Sequence, residues 1–94
     1  MIVKSNQEKS MSNIVMYSTG VCPFCINAER LLLSKGVTSI NKIRIDLEPE
    51  QRKLMMEKTG RRTVPQIYID DQYIGGFDEL RALDLAGGLD PLLT

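Results

Sequence analysis

Two cysteines around a proline and a phenylalanine, Cys22-Pro23-Phe24-Cys25, constrain this 94-residue chain more than any other stretch. The apolar run Ile14-Val15-Met16-Tyr17 leads into them with no Gly or Pro, as a strand does. After them Phe24, Ala28, Leu31 and Leu32 recur at spacings of three and four, the stripe of an amphipathic helix. Pro23 then falls at the first helical position, where its missing N–H costs nothing and its fixed φ is already helical. That makes Cys22 the N-cap and puts Cys25 one turn in, on the same side. Free N–H groups and the positive end of the macrodipole favour a negative sulfur there. Thiols so placed, and in Cys-x-x-Cys pairs, have pKa values lowered to about 3.5–7.5 from about 8.5. Cys22 is therefore the expected attacking sulfur and Cys25, which starts deeper in the helix, the resolving one. The pair reads as a dithiol–disulfide exchange site.

Other uses of the pair fit less well. Two unrelated buried cysteines leave the proline between them unexplained. A structural disulfide across so short a loop removes little chain entropy, and no signal peptide is visible. Zinc takes four ligands as a rule, and the chain has two cysteines and no histidine. Only a dimer sharing two such pairs, or a cluster completed by an outside thiol, would hold a metal, so none is expected. Twelve basic and twelve acidic residues cancel, leaving no global field for nucleic acid or an anionic membrane. Two Phe, three Tyr and no Trp make a poor base-stacking platform. No apolar run approaches the length of a membrane helix. A monomer in the reducing cytoplasm is the expectation, since thiol pairs there are usually catalytic.

Along the chain, residues 1–12 are polar without period and are expected to be a disordered extension of a domain spanning 13–94. Residues 13–18 are almost all apolar, the mark of a strand covered on both faces. A helix over 23–35 should stop at Gly36. Lys42-Ile43-Arg44-Ile45-Asp46-Leu47 alternates strictly, predicting a half-exposed strand near a sheet edge and parallel to the first. Pro49 starts a second helix over 50–58, closed by Gly60, with Leu54, Met55 and Met56 as its core contacts. Asp70-Asp71 turns a strand over 66–69 back into 72–74, and Gly75-Gly76 ends that hairpin. Asp78 is expected to cap a third helix over 79–86, stopped by Gly87-Gly88. The tail after it should tuck Leu92 and Leu93 against the domain. The order is βαβαββα, an α/β domain with a four-stranded mixed sheet flanked by three helices.

Three segments taken together resemble the glutaredoxins, notably their small bacterial dithiol members. They are Cys22-Pro23-Phe24-Cys25, Thr63-Val64-Pro65 before a strand, and Gly75-Gly76-Phe77-Asp78 before a helix; the ending Gly87-Gly88-Leu89-Asp90-Pro91-Leu92-Leu93 is similar too. The resemblance covers residues 13–94 and implies the thioredoxin fold, strand order 2-1-3-4, with Pro65 cis and facing Cys22. It also implies glutathione as co-substrate. Thr63, Val64 and Pro65 would pair with its cysteinyl part, and Gly76, Phe77 and Asp78 would hold its γ-glutamyl end. Phe24 stands where tyrosine is commoner, keeping the ring and losing the hydroxyl. Many members carry a cation three residues before the first cysteine, where this chain has Thr19. That shifts work to Arg61, Arg62 or the helix dipole, and one of the arginines would meet the glycyl carboxylate. Tyr17 and Thr19 complete the auxiliary candidates. The implied partners are glutathionylated or disulfide-containing proteins, such as a ribonucleotide reductase. Two alternatives stay open: a thioredoxin-like donor, weakened by the lack of a Trp before Cys22, and a dimeric iron–sulfur carrier ligated by Cys22 and glutathione.

Overall fold

The computed structural model describes residues 12–93. The elements run β1 (Ile14–Ser18), α1 (Pro23–Ser34), β2 (Asn41–Arg44), α2 (Pro49–Thr59), β3 (Gln66–Ile69), β4 (Gln72–Gly75), α3 (Phe77–Leu85) and α4 (Leu89–Leu92). The sheet has the order β2-β1-β3-β4, with β1 and β2 parallel and the other pairs antiparallel. Residues 1–11, most of the expected extension, lie outside the described residues. Ser12 is described, and its hydroxyl donates to Leu92 O at 2.8 Å.

Strand parity divides the core in two. On one face Ile14 and Met16 of β1 stand opposite Ile69 and Ile67 of β3, and all four are buried. They pack with Ala28 and Leu32 of α1, Leu80 of α3, and Leu89 and Leu93 at the end of the chain. On the other face Tyr17, Ile45 and Met55 form a smaller cluster that seats α2. β1 is thus covered on both faces, as its unbroken apolar sequence requires.

Several boundaries differ from the expected ones. β2 ends at Arg44, because Leu47 and Glu48 donate to Arg44 O and turn the chain before the alternation is complete. Leu47 is left 67% exposed, although Ile45 is buried at 3%. Met55 seats α2, whereas Leu54 is 41% exposed. Phe24 is not part of the α1 stripe: it is 58% exposed, and Cys25, Ala28 and Leu32 form the buried side. α3 starts at Phe77 with Gly76 as its cap, so Asp78 is a first-turn residue and not the N-cap. The reason is Glu79, whose carboxylate accepts from Gly76 N–H at 2.7 Å and so satisfies that donor from inside the helix. The tail forms a fourth, short helix, and Lys35 ties it to α3 by bridging Asp84 and Asp90 at 2.7 and 3.2 Å. Asp70 and Asp71 both have positive φ, the two-residue turn that matches strand twist.

Candidate active site

Cys22 caps α1 as the sequence predicts. Its backbone is extended, with φ −152° and ψ 92°, Pro23 follows at the first helical position, and Cys25 N–H donates to Cys22 Sγ at 3.1 Å. The two cysteines form a disulfide with Cα atoms 5.2 Å apart. Cys22 and Cys25 are 8% and 6% exposed, so the pair sits in a shallow recess and not on a protruding loop. A sulfur at this N-cap is directed at helix N–H groups, which stabilise it more as a thiolate than as a thiol.

Across from it runs the segment before β3. The Val64–Pro65 peptide is cis, and Val64 O lies 3.9 Å from Cys22 Sγ. Gln66 holds this segment from beneath. Its side chain is fully buried, with Nε2 donating to Thr63 O at 2.9 Å and Oε1 accepting from Tyr73 OH. A buried amide so satisfied fixes the backbone it grips. Val64 N–H, one residue on, has no partner among the described residues.

A cavity of about 280 Å³ opens beside Val64, lined by Phe24, Arg61, Thr63, Val64, Pro65, Gly76, Phe77, Asp78 and Glu79. Every residue expected to touch glutathione is on that wall. Neither sulfur is, and the connection to Cys22 runs through Val64. The floor at one end is the first turn of α3, where Leu80 N–H is the first to bond back into the helix, to Gly76 O. Among the described residues, the Phe77 and Asp78 N–H groups therefore have no partner and are open to an anion, while Gly76 N–H is taken by Glu79. Phe24 and Phe77 flank the opening with ring centroids 6.3 Å apart.

Of the auxiliary candidates, Arg61 lines this cavity and Arg62 does not. Arg61 is held by Glu79, with Nη1 to Oε1 at 3.1 Å. The Arg61 guanidinium, with help from Gly76 N–H, keeps the Glu79 carboxyl below its ordinary value. Thr19 lies on the far side of the disulfide, on a second cleft shared by Cys22, Cys25, Glu29, Lys42 and Arg44. Tyr17 belongs to the smaller core, 2% exposed and edge-on to Tyr68, and lines neither cleft. Sequence reasoning missed Glu79 and Gln66. A Glu three residues after Gly76 is a capping signal; a Gln opening an otherwise apolar strand is the only hint of the other.

Known proteins are similar to this chain in sequence and in fold. The family model "Glutaredoxin" matches residues 14–74. Glutaredoxin 3 of Escherichia coli is 52% identical over 83 residues, covering 88% of this chain and 99% of that protein. A glutaredoxin of Pseudomonas aeruginosa is 46% identical over 84 residues, covering 89% and 99%. Among solved structures, glutaredoxin from Brucella melitensis superposes with a TM-score of 0.77 at 43% identity, covering 89% of this chain and 90% of that one. A buckwheat glutaredoxin–glutathione complex superposes with a TM-score of 0.80 at 28% identity, covering 96% and 84%. With a redox-capable cysteine pair at the head of α1 in a thioredoxin fold, this chain belongs to the glutaredoxin family of thiol–disulfide oxidoreductases.

Proposed function

We propose that the protein reduces protein–glutathione mixed disulfides and protein disulfides at the expense of glutathione, with Cys22 as nucleophile. The observation that carries this reading is the cavity joined to Cys22 through Val64, whose free donors and acceptors suit glutathione group by group. Val64 N–H and C=O would pair with the cysteinyl main chain. The free N–H groups of Phe77 and Asp78 would receive the γ-glutamyl carboxylate at the positive end of α3. The Asp78 carboxylate would face the ammonium beside it. Arg61 would meet the glycyl carboxylate, sharing its guanidinium with Glu79. The buckwheat glutaredoxin that superposes on this chain is a complex with glutathione, which supports glutathione as the ligand.

In the first step the Cys22 thiolate attacks the glutathione sulfur of the mixed disulfide. A Cys22–glutathione disulfide forms, the disulfide bond between the glutathione sulfur and the substrate protein's sulfur breaks, and the protein thiolate leaves and takes up a proton. A second glutathione thiolate then attacks the glutathione sulfur held on Cys22. Oxidised glutathione departs, and the Cys22 thiolate is regenerated under the stabilising helix N-terminus. With a protein disulfide as substrate, the Cys25 thiolate displaces the substrate from Cys22. That leaves the Cys22–Cys25 bond, which two glutathiones reduce. A catalytic thiol pair suits the reducing cytoplasm, and the protein would act there as a monomer. Among the described residues no helix is long and apolar enough to cross a membrane.

The test is turnover of a glutathionylated peptide with reduced glutathione, coupled to glutathione reductase. Cys22→Ser should abolish turnover, whereas Cys25→Ser should retain it, because the second glutathione replaces the resolving thiol. Activity surviving in Cys22→Ser would refute the assignment.

A further inference from the structure

Three residues, 19–21, carry the chain from the end of β1 to the buried Cys22, and apolar burial does not hold them: Val21 is 91% exposed. The Thr19 hydroxyl makes a local hydrogen bond, donating to Val21 O at 3.2 Å. Among the described residues, the hydrogen bond that ties 19–21 to another element is Gly20 N–H to Asp46 Oδ2, at 3.1 Å. Asp46 is itself fixed. Arg44 grips both of its oxygens, Nε to Oδ1 and Nη2 to Oδ2, each at 2.8 Å. That two-pronged geometry sets the orientation of the carboxylate. Between them Ile45 is buried in the smaller core, and its N–H donates to Ser18 O at 3.0 Å. Residues 44–46 are thus pinned to the strand end from which the loop departs. The guanidinium also lies close over Gly20, where a methyl group would meet Arg44 Nη2 at 2.5 Å.

We infer that Asp46, oriented by Arg44, is a positioning residue for the nucleophile: its bond to Gly20 fixes the loop that keeps Cys22 at the helix N-cap. The inference rests on Cys22 being the attacking sulfur. Neither Arg44 nor Asp46 is part of the proposed glutathione cavity. What they supply is geometry. Stabilisation of a thiolate by a helix end falls away within one turn, so a loop free to drift would take Cys22 out of reach of Cys25 N–H. Arg44 holds the Asp46 carboxyl well below the usual carboxylate range, so the clamp stays ionised wherever Cys22 titrates.

The experiment follows iodoacetamide alkylation of the fully reduced protein against pH, with the modified cysteine identified by mass spectrometry. Wild type, Asp46→Ala, Asp46→Asn, Arg44→Ala and Gly20→Ala are compared, with far-UV circular dichroism on each. In wild type, Cys22 should react first and at low pH. Asp46→Ala should move the Cys22 profile to higher pH and slow alkylation at mildly acidic pH about three- to tenfold. Asp46→Asn keeps an oxygen acceptor for Gly20 and should restore most of that loss. Gly20→Ala, which displaces the end of a flexible arginine and not backbone, should shift the profile in the same direction as Arg44→Ala. An Asp46→Ala profile superimposable on wild type would overturn the inference, as would Asn performing no better than Ala. If Asp46→Ala does not fold, Gly20→Ala decides, and an unshifted profile there overturns it. First reaction at Cys25 in wild type would instead remove the reading on which the inference stands.

Discussion

Phe77 contributes two different things to the site, a ring beside Phe24 and a backbone N–H at the start of α3, and substitution can separate them. Phe77→Ala removes the ring and keeps the donor. Phe77→Pro removes both, and proline is well tolerated at the first helical position. If that N–H binds the γ-glutamyl carboxylate, Phe77→Pro should raise the KM for glutathione above that of Phe77→Ala by about tenfold or more, the scale of one hydrogen bond to a charged group. Equal KM values in the coupled assay would remove the donor from the cradle. At this scale the sequence was most informative where a residue has one feasible role. Pro23 fits only at the head of a helix, and it placed Cys22 and Cys25 correctly. Asp78 and Glu79 were not separable in the same way, since both are good first-turn residues and the choice turns on whether Gly76 adopts an extended backbone. Phe24 and Tyr17 were ambiguous for a related reason. An aromatic ring at helical or strand spacing serves a core or a cavity equally well, and here Phe24 borders the cavity while Tyr17 lies in the core.

Among the elements, α3 carries both the cavity floor and an ion pair that responds to pH. Glu79 is held below its ordinary carboxyl value, first by the Arg61 guanidinium and then by Gly76 N–H. A carboxyl with a depressed folded value stabilises the protein fully above its ordinary value of 4.5, and that stabilisation is lost as pH falls through the folded value. The pair is almost half exposed, so the effect is on the order of a few tenths of a kcal/mol. Urea midpoints should therefore favour wild type over Glu79→Gln near neutrality, with the gap closing below about pH 4. A gap independent of pH would mean that Glu79 acts only as a cap. The other elements show what periodicity conveys and what it leaves out. The alternation from Lys42 to Leu47 marked an edge strand correctly. It did not reveal that the chain turns after Arg44, because the turn is made by backbone bonds to Arg44 O that leave no trace in side-chain pattern.

For the whole molecule, one face of the sheet supports the cysteine-bearing helix α1 and the cavity floor through a shared core, in which Leu80 of α3 is fully buried. Leu80→Ala should cost about 2–5 kcal/mol in denaturant unfolding, the usual range for such a truncation. Leu54→Ala, on the exposed side of α2, should stay within about 0.5 kcal/mol. A comparable loss in both would mean that α2 packs differently. The element order and the mixed sheet were readable because the βαβ crossover, the hairpin turn and the glycine stops leave few arrangements, whereas the strand order 2-1-3-4 came from the resemblance to the glutaredoxins. Side-chain partners between distant segments, such as Gln66 with Tyr73 or Arg61 with Glu79, arise only once the fold has formed, and no local pattern announces them.

In the proposed reaction Cys22 carries glutathione into the cavity beside Val64. Its most direct test is to treat reduced Cys25→Ser protein with oxidised glutathione, locate the adduct by mass spectrometry and map backbone amide shifts. A single glutathione on Cys22, with the largest shifts at Val64, Phe77 and Asp78, is the expected result. An adduct that leaves those amides unmoved, or moves instead those of Thr19, Gly20 and Arg44 around the second cleft, would rule that placement out.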